Sequence, residues 1–518
     1  MPRPLSALPW IAILLLALAL RLPAVSAARP YMTYVDEGNV LHPTARMLRT
    51  GGWDPGWYLY PSLPINAIAA GVRLYEPFYE EAHGRPLRQD IRSLDTAYYN
   101  ILEPFELLCI GRMVGLLAGL GTVLLAGLLA RRLAGPRAGL FAASLAALAP
   151  PLVIRSGIVS VDSYAALFVT ACLLFTDRTR TSRRPCLDAL LAGAMAGCAF
   201  TSKYPTVLVS LAFALTVLLS RRGWKERLRL WTLGALGAVL GAALTMPALA
   251  THPAAVLDGI LSQGRIYGEL TSPPLWQQAI LRAEWDLPFE HPELGVLYLL
   301  LAAAGLWMAL RDREASPTAW GWVLYGGIVL ALCHCYSFQP FRNLLPLVPL
   351  TCVALSILLV KARERVAAPL REDIMAILLL MALFGRPVSE YALGRLRLGD
   401  PRIQAADWLE AHSRPEDKVL VLRELTFQPS ELERIPGKKV LRRWPAVQNR
   451  VDRLDTRFLV YGELQTEQGQ RLLHPKMHKR IRQHYDLRAQ FGETATPPFA
   501  YWWRDNKQII YVMERRGR

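Results

Sequence analysis

Residues 111–168 read GRMVGLLAGLGTVLLAGLLARRLAGPRAGLFAASLAALAPPLVIRSGIVSVDSYAALF. This stretch decides the fold. It holds two apolar runs and the opening of a third. The basic turn RRLAGPR separates the first two, and the polar joint RSGIVSVDS separates the second from the third. A bilayer's hydrocarbon core needs about 20 apolar residues of helix to cross it, so runs of this length divided by charged turns predict consecutive membrane helices.

Working outward, apolar segments recur near 8–27, 107–130, 138–154, 161–176, 186–201, 204–220, 230–249, 292–310, 318–336, 341–360 and 373–386. The expectation is an α-helical polytopic membrane protein of about 11 transmembrane helices, with the first segment serving as an anchor rather than a cleaved signal. Composition agrees: 53% of the 518 residues are hydrophobic, more than a soluble enzyme of this length usually carries. Basic residues concentrate in alternate loops, namely RRLAGPR, DRTRTSRR, RRGWKERLR, RDR and KARERVAAPLR. The positive-inside rule places those loops in the cytoplasm. It then puts the loop 28–105 and everything after about 390 on the outer face. The net charge of +17 follows largely from this bias and from a basic tail, so no nucleic-acid partner is implied.

The chain divides into a membrane domain, 1–394, that includes the outer first loop at 28–105, and a small C-terminal α/β domain, 395–518, on the outer face. In the latter, DPRIQAADWLEAHSRPEDKVLVL reads as a capped helix, a turn and a buried strand, and TRFLVYGEL and KQIIYVMER as further strands. In the first loop, WYLYPSLPINAIAAGVRLYEPF is too short and too interrupted by Pro61 and Pro64 to span, and predicts a helix lying in the interface. The seven cysteines lie in or beside apolar segments and form no disulfide framework. CHC at 333–335 lacks companion ligands for a metal.

Ionisable residues where basic charge is not expected carry the functional signal. Arg112, Arg155, Lys203 and Arg342 sit at or near the outer ends of predicted spans. A charge near membrane depth costs about 2.5 to 3.5 kcal/mol on insertion scales. For any one of them, snorkelling or structural pairing is the plain alternative; four together favour an anionic ligand. Asp162 opens a span on the same face. The pair Asp36 and Glu37 follows the first apolar segment in PYMTYVDEGNVLHPTARM. Neutralising ion pairs for Asp162 and a solvated loop position for Glu37 are the alternatives there.

These stretches, taken in order, resemble the GT-C glycosyltransferases of the protein O-mannosyltransferase and aminoarabinose-lipid A transferase type. YVDEGNV (34–40) resembles that family's first-loop Asp-Glu motif, and YPSLPINAI (60–68) its Tyr-Pro-Pro-Leu segment, with Ser62 in place of the second proline. AFTSKYPTVLV (199–209) resembles its Leu-Thr-Lys-Tyr stretch, and FRNLLPLVPL (341–350) its Arg-Tyr-Leu-Leu-Pro segment. Residues 111–168 are similar over their whole length to the family's second to fourth spans. The likeness covers most of 8–360 and, weakly, the tail.

The resemblance implies an inverting transfer of a monosaccharide from a polyprenyl-phosphate carrier to a hydroxyl acceptor of protein, lipid or glycan, in a bacterial cytoplasmic membrane. It implies Asp36 as general base. Such a transfer needs a carboxylate to take the acceptor's proton and fixed cations for the leaving phosphate. Lys203 and Arg342 lead that donor-phosphate set, followed by Arg112 and Arg155, while Glu37 and Asp162 orient acceptor, base or cations. A divalent cation is compatible with the chemistry, and no ligand cluster demands one. A transporter or flippase of lipid-linked sugars would also carry buried charges, but at mid-span rather than at the outer ends, and a non-catalytic scaffold would need none.

Overall fold

The structure is a computed structural model that describes residues 7–27, 31–32, 35–96, 99–269, 292–335, 341–364, 401–422, 425, 427, 429–442, 451–465, 475–492 and 507–516. It forms two compact units, one of residues 1–25, 50–73 and 110–393, the other of residues 26–49, 74–109 and 394–518. The boundary expected at 394/395 is therefore not the only one in space. Two pieces of the first loop pack with the C-terminal region, and the piece between them packs with the membrane helices.

In chain order the helices are α1 (Leu8–Arg21), α2 (Val35–Thr50), α3 (Ser62–His83), α4 (Leu87–Asp90), α5 (Phe105–Leu148), α6 (Pro150–Ser156), α7 (Val161–Thr181), α8 (Pro185–Ser202) and α9 (Val209–Leu218). They continue as α10 (Trp224–Thr245), α11 (Ala248–Thr251), α12 (Pro253–Glu269), α13 (Pro292–Arg311), α14 (Ser316–Cys335), α15 (Val348–Glu364), α16 (Pro401–His412), α17 (Pro429–Arg434) and α18 (Pro475–His484). Short 3-10 turns at Tyr204–Leu208 and Phe341–Leu347 lead into α9 and α15.

Among the described residues, five helices are long and apolar enough to cross a membrane: Phe105–Leu148, Pro185–Ser202, Trp224–Thr245, Ser316–Cys335 and the stretch Arg342–Ala362. The first is two helices. At Ala134 and Gly135 the backbone leaves helical geometry, with Gly135 at φ 88°, and Pro136 opens the next helix. RRLAGPR thus makes the predicted turn, with glycine in the left-handed region that only it adopts readily. The span expected over 138–154 is also broken. Ala149 is extended at ψ 113° because Pro150 follows it, and the short α6 starts afresh. The predicted span at 373–386 lies outside the described residues.

The first loop is more helical than expected. The Asp-Glu pair opens α2, a helix with Pro43 in its interior. The apolar stretch after Tyr60 forms α3, which leaves Leu74 and Phe78 exposed. In the membrane unit, α8 and α10 are seated backbone to backbone. A Cβ on Gly193 would lie 1.8 Å from the Gly234 carbonyl oxygen, and one on Gly197 2.2 Å from that of Ala238. Small residues in GAMAG and GALGAVLG make this approach possible, and packing rather than hydrophobicity holds helices together in lipid.

The second unit contains a five-stranded sheet in the order β4-β3-β5-β7-β6, and a separate hairpin of β1 (Arg92–Thr96) and β2 (Tyr99–Glu103). The sheet strands are β3 (Lys418–Leu422), β4 (Lys438–Arg442), β5 (Phe458–Gln465), β6 (Tyr485–Phe491) and β7 (Lys507–Arg515). Strand β3 pairs in parallel with β4 and β5, and β7 pairs antiparallel with β5 and β6. KVLVL is the continuous apolar run expected of a strand covered on both faces, and Val419, Leu420, Val421 and Leu422 are all buried. Arg402 of α16, itself buried, stacks its guanidinium 3.5 Å from the centre of the Tyr31 ring. The backbone N–H of Ser430, opening α17, donates to Glu103 Oε1 at 3.0 Å. Such contacts tie the first-loop pieces to the C-terminal region.

Candidate functional site

The sequence TSKYPT places Lys203 by local chemistry. Pro205 has no N–H for the carbonyl of Thr201, so α8 cannot run through it. The helix ends at Ser202, and Lys203 turns into the extended region at φ −155° and ψ 114°. The last carbonyls of a helix need donors, and neighbouring hydroxyls supply them. Ser202 donates to the Cys198 carbonyl at 2.7 Å, and Thr206 donates to those of Ala199 at 2.6 Å and Lys203 at 2.7 Å. The ammonium is thereby aimed from a fixed backbone.

Asp162 is fixed just as locally. Ser160 caps α7, its Oγ accepting from the Asp162 backbone N–H at 3.2 Å. That leaves the carboxylate in the first turn, where the helix dipole favours a negative charge. The two charges meet across 41 residues: Lys203 Nζ donates to Asp162 Oδ1 at 2.6 Å, with the side chains 12% and 2% exposed respectively. A buried pair is weak evidence for stability, but each partner left alone would be an expensive buried charge. Lys203 Nζ also donates to Asn343 Oδ1 at 2.8 Å, and Tyr267 of α12 donates to the same oxygen at 3.4 Å.

Lys203, Asn343 and Tyr267 border a cavity of about 370 Å³. Its remaining wall is mostly apolar or aromatic, with Phe200, Tyr204, Val207, Ile260, Tyr325, Val329 and Leu332, and Gln263 adds a polar group. Largely apolar walls with a few convergent polar groups are the usual form of a ligand site. An ammonium has three N–H bonds. Among the described residues two serve Asp162 and Asn343, which leaves the third for a ligand.

The predicted cations separate into two groups. Arg155, in the last turn of α6, and Arg342 act electrostatically on Asp162 together with Lys203. Arg112 is fully buried and donates to the carbonyls of Ala24 at 3.3 Å and Val25 at 3.5 Å, where it ties α5 to the chain after α1. Glu37 is fully buried in the first turn of α2, and thus not the solvated loop acid that was its alternative. Asp36 is the second residue of α2, and its side chain lies outside the described residues. Glu37 and Asp36 belong to the second unit, and Asp162 and the four cations to the first.

Two features escaped the sequence reading. Asn343 reads as an ordinary polar residue in FRNLLPL, and only its contact with Lys203 gives it a role. Arg21 sits in the first apolar segment and is fully buried. It donates to Ser156 Oγ at 3.0 Å and to the carbonyls of Ala17 at 3.0 Å, Ala147 at 3.0 Å and Ala146 at 3.3 Å. The signal was available, since an arginine within ALALRLP is as costly as those singled out.

At the other ends of these helices lie the basic turns. Asp177, buried, pairs with Arg132 at 2.9 Å and Arg180 at 3.1 Å, and Asp188 with Arg178 at 2.7 Å. In CHC, Cys333 is buried in the cavity wall, whereas His334 and Cys335 are exposed. No group of three or more His, Cys, Asp or Glu suited to a metal occurs among the described residues.

Comparison with known proteins fits this architecture. Residues 109–250 match the family model described as dolichyl-phosphate-mannose-protein mannosyltransferase, a segment that includes Arg112, Arg155, Asp162 and Lys203. No curated protein matches the sequence. Among solved structures, ArnT from Cupriavidus metallidurans bound to undecaprenyl phosphate aligns with a TM-score of 0.56 at 13% identity, covering 98% of each chain. The apo state of ArnT aligns with a TM-score of 0.53, again at 13% identity and 98% of each chain. The chain has a GT-C fold. The GT-C fold implied by the sequence motifs is therefore present. In this GT-C chain the buried Lys203–Asp162 pair joins two motifs, FTSKYPT and SGIVSVDS, that lie within the matched segment.

Proposed function

We propose that this protein is an integral-membrane glycosyltransferase that moves a monosaccharide from a polyprenyl-phosphate carrier to a hydroxyl acceptor on the outer face of a bacterial cytoplasmic membrane. The observation that carries the reading is Lys203, held between Asp162 and Asn343 at the edge of a mainly apolar cavity of about 370 Å³. A fixed cation beside apolar walls suits a ligand that joins a phosphate to a hydrocarbon chain. The match of residues 109–250 to a dolichyl-phosphate-mannose family supports the same donor class.

In the proposed step the acceptor oxygen attacks the anomeric carbon as the bond from that carbon to the phosphate oxygen breaks, inverting the centre. The acceptor's proton passes to the carboxylate of Asp36, and the phosphate leaves on its carrier with the bonding pair. A phosphate leaving group needs little protonation. Its growing charge needs fixed cations, which act most strongly where water is excluded. Lys203 supplies the first, with Arg342 and Arg155 nearby in the field of Asp162. Asp162 holds Lys203 in place, and Glu37, buried beside Asp36 in sequence, positions the base.

The test is incubation of purified protein with a panel of polyprenyl-phosphate sugars, followed by the loss of each lipid-linked sugar and the appearance of free carrier phosphate. Consumption of one donor and not the others supports the reading. No consumption of any, with an acceptor extract present, rejects it.

A further inference from the structure

Tyr325 lies in the middle of α14 and is fully buried. It lines the cavity beside Lys203, yet its hydroxyl has no hydrogen-bond partner among the described residues. A buried hydroxyl normally finds a partner, because a bond left unmade in the interior is costly. Helical spacing puts Tyr325, Val329 and Cys333 on one face of α14, at i, i+4 and i+8, and all three border the cavity. Cys333 is close enough to Lys203 to feel its charge. Tyr325 and Lys203 thus border the same cavity.

Other orphaned hydroxyls do not share this setting. That of Tyr164 is also buried without a partner among the described residues; both tyrosines pack in apolar clusters, and of the two only Tyr325 borders the cavity. Tyr325 borders space that a ligand can fill. Phenylalanine would serve packing equally well, so the hydroxyl has a use only when something polar enters.

We propose that Tyr325 is a recognition residue of this cavity, its hydroxyl donating to an oxygen of a lipid-phosphate headgroup whose phosphate is held by Lys203. The inference rests on the donor reading above and adds a second polar contact to it. A polyprenyl chain carries no oxygen, so the group that meets Tyr325 belongs to the phosphate or to the sugar attached to it. The two contacts act as a clamp. Lys203 supplies charge, whereas Tyr325 supplies direction, because one O–H satisfies one acceptor at about 2.7 Å in a narrow range of angles.

The test compares wild type with Tyr325→Phe as full-length protein in nanodiscs. Affinity is measured for undecaprenyl phosphate and for its glycosylated form, and thermal stability is measured without ligand. The expected result is an apo stability equal to or above that of wild type and an affinity about 3- to 10-fold weaker for at least one probe. Loss with both probes places the contact on the phosphate, and loss with the glycosylated probe alone places it on the sugar. Equal affinities in the two proteins overturn the role of Tyr325 and leave the donor reading standing. A wild type that binds neither probe overturns both. A Tyr325→Phe protein that fails to fold shows that the hydroxyl serves the fold itself, and the inference is then wrong.

Discussion

Replacing Lys203 by alanine tests the core of the site. In the wild type its ammonium lies 2.6 Å from Asp162 Oδ1 and 2.8 Å from Asn343 Oδ1, with the side chain 12% exposed. Two effects follow from its removal. A charge-assisted contact to the ligand phosphate disappears, worth about 1.5 to 3 kcal/mol. At 1.36 kcal/mol per tenfold, that is an affinity loss of roughly 10- to 150-fold. In addition, Asp162 stays buried without its nearest cation. Breaking a buried pair from one side costs about 3 to 5 kcal/mol in general. Arg155 and Arg342 still act on this carboxylate, so the cost here falls at or below the lower end. The Asp162→Asn variant separates the effects. It keeps a carbonyl oxygen for Lys203 and frees the ammonium's full charge for the ligand, so phosphate affinity should stay within about tenfold of wild type. Undecaprenyl phosphate binding is titrated for wild type and both variants in the same nanodiscs, alongside thermal unfolding. A Lys203→Ala protein that binds this probe as tightly as wild type refutes the assignment of the phosphate to Lys203 and moves it to Arg155 and Arg342.

The remaining predictions probe base, packing and topology. Asp36→Asn keeps shape but removes the proton acceptor, so single-turnover transfer should fall roughly 100- to 10,000-fold with donor affinity preserved. Wild-type turnover would show that Asp36 is not the base, and a greater defect in Glu37→Gln would move the role to its neighbour. Gly193→Ala puts a methyl 1.8 Å from the Gly234 carbonyl oxygen, so α8 and α10 must separate. Overpacking costs about 1 to 3 kcal/mol, to be read as a lower melting temperature in detergent, and an unchanged value would mean that the helices do not meet there. A reporter active only outside the cytoplasm should work when fused after residue 400 and fail when inserted near Arg183 or Trp224. Activity at the two internal points would reverse the assignment of faces.

Hydropathy, turn chemistry and capping are local, and they were legible without a structure. The apolar runs on either side of RRLAGPR became the two halves of α5, with Gly135 at the turn. TSKYPT contains, within six residues, the proline that stops α8 and the hydroxyls that cap it, so the position of Lys203 at a helix end was written in the chain. The strand KVLVL and the helix of AADWLEAH declared themselves by pattern in the same way. The motifs also marked Asp162 and Lys203 as residues of one site. Tertiary structure decided what those residues touch. Lys203 meets Asn343 across 140 positions, and no periodicity or spacing relates two residues that far apart. Arg112 and Arg155 carry the same sequence signal, a guanidinium near a span's end. Packing gives Arg112 to the carbonyls of Ala24 and Val25 and brings Arg155 into the field of Asp162. The first loop was read as one piece because nothing in its composition changes at Arg49 or Arg73. Its division between two units depends on which surfaces it covers. A charge near membrane depth announces that it must be satisfied, but which partner satisfies it depends on how distant helices stack.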